Sequence, residues 1–173
     1  GDPAEDGEGG YDAIASGLRL ELDTPYYAAV SLRIGDTSET GVTFYRKELT
    51  AGAALTTAKV PHRVTANHQS NLPLVIGERE ADKHVVWDGL VDDLRLSRVA
   101  LGPGQLLVSR EGTSEDTVGY WCFEEPNFFK DSSPHGHAIR SDIAPTGRMD
   151  ARAAARIDFC HLLFNTNEFL YLD

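Results

Sequence analysis

Cysteine is scarce in this chain: Cys122 and Cys160 are the only two among 173 residues. Both lie in apolar surroundings, Tyr-Trp-Cys-Phe and Asp-Phe-Cys-His, which reads as two buried thiols. A disulfide between them is the alternative if the protein is exported. No Cys-x-x-Cys-His run occurs, so nothing here attaches a haem. No stretch approaches the roughly 18 apolar residues of a membrane span, and no basic segment leads into an apolar one as in a secretory signal. Membrane insertion is therefore not expected. Positive charge is also in short supply, with 16 Lys+Arg against 27 Asp+Glu and a net charge of -11. Such a surface repels phosphate backbones and anionic lipid, which argues against nucleic-acid partners. Acidity reads as a solvated surface, with cation binding as the alternative.

Period-two alternation dominates up to about residue 140, the mark of half-buried strands. Ser16–Leu22 places Leu18, Leu20 and Leu22 on one face, with Arg19 and Glu21 on the other. Pro25–Ile34 aligns Tyr26, Ala28, Val30, Leu32 and Ile34, so Tyr27 points the other way. Turn residues fill Gly35–Gly41, and Gly41–Leu49 returns as the second arm of a hairpin. Leu55–Val64 reads as a weaker strand pair, confined to an edge by Pro61. Leu72–Gly77 is a short apolar strand, Glu78–His84 a charged loop and Gly89–Leu96 a further strand. Gln105–Val108 suits one helical turn, and the Gly- and acid-rich loop Glu111–Asp116 leads into Val118–Phe123.

The ends differ in character. Residues 1–15 are a flexible acidic leader, which lacks an initiating Met and reads as part of something longer. Residues 141–173 are a linker and an apolar tail, with Asp150 capping a helix over Ala151–Phe164. Its apolar residues nearly surround the axis, so a neighbouring domain or subunit is expected to cover it.

Trp87-Asp-Gly-Leu-Val-Asp-Asp-Leu-Arg-Leu-Ser97, with Val99-Ala-Leu101, resembles the closing strand of a concanavalin-A-like, laminin-G-like jelly roll. Pro25–Leu32, Gly41–Tyr45 and Leu74–Gly77 resemble inner strands of that family. Tyr120-Trp-Cys-Phe-Glu124 with Asp131-Ser-Ser-Pro-His-Gly136 resembles its opening motif. The resemblance spans about Ser16 to Ile139, residues 16–140 being the domain. It implies an all-β antiparallel jelly-roll sandwich with a short C-terminal helical tail. The order is unusual, because the opening motif follows the closing strand. A circular permutation, a first half in a longer parent, and a second copy starting at Val118 all remain open. The tail from Ile157 to Asp173 resembles the terminus of large exported bacterial proteins with cytochrome-c-like haem domains, which implies an extracytoplasmic location within a parent protein.

Candidate sites follow from these readings. Asp88 and Asp92 share a strand face about 13 Å apart at about 3.3 Å per residue, beyond the roughly 5–9.5 Å of a glycosidase pair. The Glu-x-Asp-x-x-Glu and Glu-x-Asp-x-Glu runs of related glucanases are absent. Ser132 and Ser133 lack the glycines of a nucleophile elbow. No catalytic residue is assigned, and no enzyme is expected. Asp92 and Asp131 match family positions where a strand end meets a loop, which implies a structural Ca2+; Asp131 as a turn cap is the alternative. His135 and His137 read as surface residues, since zinc needs three or four ligands. Trp87, Trp121, Tyr27 and Tyr45 could stack on sugar rings, with core packing as the alternative. The expected function is a non-catalytic recognition module for extracellular glycan. Its rival is an interaction domain packing against other domains or subunits of the parent.

Overall fold

The structure is a computed structural model that describes residues 14–66, 74–79, 82–86 and 89–140. The leader up to residue 13, the tail from residue 141, and Trp87 and Asp88 lie outside the described residues. The described part is all-β, with antiparallel pairing throughout and a single 3-10 turn as its helical element.

The hairpin expected from alternation is present. β1 (Tyr26–Leu32) pairs with β2 (Val42–Glu48), and β2 pairs with β3 (Thr56–Val60). β2 is the central strand, and Val42, Thr43, Phe44 and Tyr45 are all buried. Burial of successive residues means that both faces of this sheet are covered. The connecting loop packs closely on its neighbours. A Cβ on Gly41 would sit 1.9 Å from the Asp36 carbonyl oxygen and 2.6 Å from the His62 ring, so only glycine fits there.

Leu55–Val64 resolves into one edge strand, β3, that ends at Pro61, not a strand pair. Glu78–His84 is not a loop, because β4 (Glu78–Arg79) and β5 (Asp82–Val86) pair as a tight hairpin. Leu74–Gly77 carries no ladder pairing; residues 72–73 lie outside the described part.

Ser16–Leu22 is also outside any ladder, despite its clean alternation. Alternation shows which side chains share a face but does not supply a pairing partner. Side chains serve this backbone instead. The Leu18 amide donates to Ser16 Oγ, the Glu21 amide donates to the Tyr26 hydroxyl, and Arg46 donates to the Arg19 carbonyl. Leu22 is left 75% exposed.

β6 (Leu94–Ser97) begins later than the alternation suggests, because Asp93 has φ of 51°. That left-handed conformation, which Asp tolerates better than most residues, breaks the extended run. A 3-10 turn, Pro103–Gln105, follows β6 and is closed by the Gly102 amide on Gln105 Oε1. β7 (Thr117–Trp121) then pairs antiparallel with β6, Leu94 opposite Trp121 and Leu96 opposite Gly119. Leu94, Leu96 and Trp121 form a core cluster, with Leu74, Ile76, Val118, Phe123 and Ile139 packed against it.

Segment 101–112 ties the β1–β2–β3 sheet to the β6–β7 pair. Ser31 Oγ and the Tyr45 hydroxyl both donate to the Leu101 carbonyl, at 2.6 and 3.3 Å. From β6, Arg95 donates to the carbonyls of Gln105, Arg110 and Gly112. Burial of Leu106 at 3% exposure supplies the apolar part of this contact.

The Trp121 ring lies over Gly119, where a Cβ would come within 2.4 Å of it. Gly119→Ala should therefore destabilise the domain by about 1–3 kcal/mol through overpacking. A urea titration checks this as a lower midpoint with an unchanged slope.

Candidate functional site

The densest polar geometry surrounds Asp131, which is 5% exposed. Its Oδ1 accepts from the backbone amides of Tyr120 and Ser133, at 2.8 and 2.7 Å. Its Oδ2 accepts from Ser133 Oγ and the His137 amide, at 2.7 and 2.8 Å. A carboxylate offers about four lone-pair directions, and here all four are filled by the protein's own donors. Burial is the largest influence on this group and pushes its pKa up. The hydrogen bonds from Ser133, Tyr120 and His137 together outweigh it and hold the carboxyl down at about 2.

Local sequence explains the arrangement. Asp131-Ser-Ser133 folds its own chain back by an Asx-type turn, and the Ser132 amide donates to the Tyr120 carbonyl. The Asp131 carboxylate and the Ser132 amide thus complete the free edge of β7 as a neighbouring strand would. The same loop presents the His137 carbonyl to Trp121 Nε1 at 2.8 Å.

The expected aromatic residues divide accordingly. Trp121 is 4% exposed and belongs to the core; its ring faces are packed. Tyr45 is 6% exposed and spends its hydroxyl on Leu101. Tyr27 is half-buried on the same sheet face as Tyr45, its hydroxyl beside the Leu107 backbone. Burial pushes that phenol up to about 12. Trp87 lies outside the described residues. The three described aromatics therefore turn inward or against segment 101–112 and form no exposed platform.

Asp92 stands exposed at the start of β6, and its Oδ1 accepts the Asp93 amide at 3.0 Å. Partial loss of hydration, then the charges of Asp93 and Glu124, raise its pKa. Asp93 accepts a 2.9 Å hydrogen bond from the Tyr120 hydroxyl. Burial, then the Cys122 thiol and Asp93, hold that phenol well above its usual value. Among the described residues, no group of three or more His, Cys, Asp or Glu side chains converges as a cation cage. Asp131, with every acceptor direction taken, does not fit the role of a calcium ligand in this arrangement. Asp92 has oxygen-rich neighbours in Asp93 and Glu124.

Two residues that the sequence reading did not single out carry much of the local order. His62 is 4% exposed; its Nδ1 accepts the Val64 amide at 3.0 Å and its Nε2 donates to the Arg33 carbonyl at 2.9 Å. That network assigns a neutral ring with the proton on Nε2. Its position after Pro61, where an edge strand ends, was the available signal. Arg95, the second, donates to three backbone carbonyls. An open cleft of about 700 Å³ lies beside His62, lined by Ile14, Ala15, Thr37, Val60, Pro61 and Arg63. None of the expected site residues lines it.

No protein-family model matches this chain, and none of the curated proteins or solved structures compared with it does either.

Asp131→Asn replaces one acceptor oxygen by a donor facing amide groups, and should cost about 2–3 kcal/mol near neutral pH. Because the native pKa lies below the ordinary value of 3.8, the carboxylate stabilises the fold above about pH 4 and less as pH falls towards 2. Chemical denaturation across that range should show the gap between wild type and Asp131→Asn narrowing as pH falls.

Proposed function

We propose that this chain is a non-catalytic jelly-roll domain of an exported multidomain protein, and that it acts by contact with other domains or a partner subunit. The observation that carries this reading is the internal commitment of the groups a sugar or a cation would need. Trp121 and Tyr45 are buried, and Asp131 is saturated by four internal donors. Exposed apolar side chains near one end of the β1–β2 hairpin favour a protein contact. Leu22 is 75% and Leu49 55% exposed, and the Leu49 amide bonds the Pro25 carbonyl just beyond Leu22.

The jelly-roll reading gains support from the pairing of β6 with β7. Those strands carry the motifs that resemble the family's last and first strands. Domain termini commonly lie close together, which is why permutation is tolerated. A ladder between the two motifs fits one permuted domain better than a second copy beginning at Val118. The exported parent and the extracytoplasmic location rest on the resemblance of the tail.

Two measurements test the proposal. On a glycan array the full chain should give no specific signal, with or without EDTA. A sugar bound by wild type and lost in Trp87→Ala would overturn the reading in favour of glycan recognition. Cross-linking of the intact parent should join Lys47, Lys59 or Lys130 to residues outside this domain. Leu22→Glu with Leu49→Glu should reduce those links while changing domain stability by no more than about 0.5 kcal/mol at each site. Links confined to the domain itself would count against it.

A further inference from the structure

We propose that His62 is a proton-sensitive latch. With a neutral ring it holds the connection between β1 and β2 against the chain leaving β3; with a protonated ring it lets the two part. The latch does not rest on the contact function proposed above and stands on separate observations.

The ring bridges two parts of the fold. Its Nε2 donates to the Arg33 carbonyl at 2.9 Å, just beyond β1, and its Nδ1 accepts the Val64 amide at 3.0 Å, just beyond β3. The Val64 carbonyl in turn accepts the Gly35 amide at 3.0 Å, so the same two segments are tied twice. Gly41, at the far end of the connection, packs so closely that a Cβ there would come within 2.6 Å of the ring. His62 is buried as a result.

A second ring proton has no place in this arrangement. It would sit on Nδ1 and point at the Val64 N–H, setting donor against donor in a buried site. Protonation therefore removes one hydrogen bond and leaves a cation short of an acceptor unless the segments separate. His62 also forms part of the wall of the open cleft with Thr37, Pro61 and Arg63, so a freed ring meets solvent there.

The charged groups around the ring do not reverse this. Asp36, on the connection, favours the cation, but its carboxylate is already engaged by the Ser38 amide. The hydrogen bonds from Ser38 lower its pKa, so its charge is constant across the imidazole range. Arg33 beside Asp36, and Arg63 next to His62 in the chain, oppose a further positive charge. Because the open form takes up the extra proton, the latch holds above the ordinary imidazole range, about 6.5, and loosens as pH falls through it.

The test is amide hydrogen exchange of the full chain by NMR at pH 7 and pH 5, corrected for the intrinsic exchange rates. Protection of the Val64 and Gly35 amides should fall by about tenfold or more between the two. The Tyr120 and Ser133 amides, held by Asp131, should keep theirs. His62→Asn offers Val64 a short acceptor that does not titrate, as in an Asx turn, and should make protection at Val64 independent of pH. Equal protection at both pH values in wild type, or the same fall in His62→Asn, would overturn the latch. Should His62→Asn not fold, long-range proton–nitrogen spectra of the wild-type ring decide the matter. Loss of Val64 protection in step with ring protonation supports the latch, and a protonated ring beside a still protected Val64 amide overturns it.

Discussion

A carboxylate taken out of water must recover its hydration from fixed donors, or it will not stay ionised inside a protein. Asp131 recovers it completely, from Tyr120, from both donors of Ser133 and from His137. Those donors come from β7 and from the loop that carries Asp131 itself, so the carboxylate fixes their relative positions. The outer edge of β7 is completed by a side chain and a loop amide, and the loop that supplies them also anchors the Trp121 indole. Trp121 in turn fills the space over Gly119 and makes the apolar cluster with Leu94 and Leu96. Polar satisfaction and apolar packing at this end of the molecule are thus one arrangement.

A similar logic links the sheets. Segment 101–112 has little ladder pairing of its own, so its carbonyls need donors from elsewhere. Arg95 provides several from one side chain, a task suited to the fixed fork of a guanidinium. Ser31 and Tyr45 both serve the Leu101 carbonyl from the opposite sheet. Loss of either set would leave carbonyl groups unpaired against apolar neighbours, so this connection is held by hydrogen bonds at least as much as by the burial of Leu106.

Strand periodicity was readable wherever a hairpin brought its own partner. Tyr26–Leu32 and Val42–Glu48 follow from alternation and the turn residues between them. Alternation failed where pairing depended on distant chain, as in Ser16–Leu22, whose backbone is served by Tyr26, Ser16 and Arg46 instead. It also failed at Asp93, because a single left-handed residue ends a strand without changing the pattern of apolar side chains. The Asp131 loop was legible as a turn, since Asp-x-Ser favours local side-chain to backbone bonds. That both of its oxygens are saturated was not legible, because two of the four donors, Tyr120 and His137, are set by tertiary structure.

Aromatic and acidic residues in β-proteins serve the core or an external ligand according to what covers them. Alternation assigns Tyr45 to the face opposite Phe44, and a one-sided sheet would then expose one of them. Here both are buried, because segment 101–112 covers the second face. The side chain chemistry that suggests a sugar platform or a cation ligand is therefore the same chemistry that closes the core, and accessibility decides between the two. Tyr45, Trp121 and Asp131 fall on the closed side. The His135 and His137 rings, raised on the same loop, stand exposed and fall on the open side.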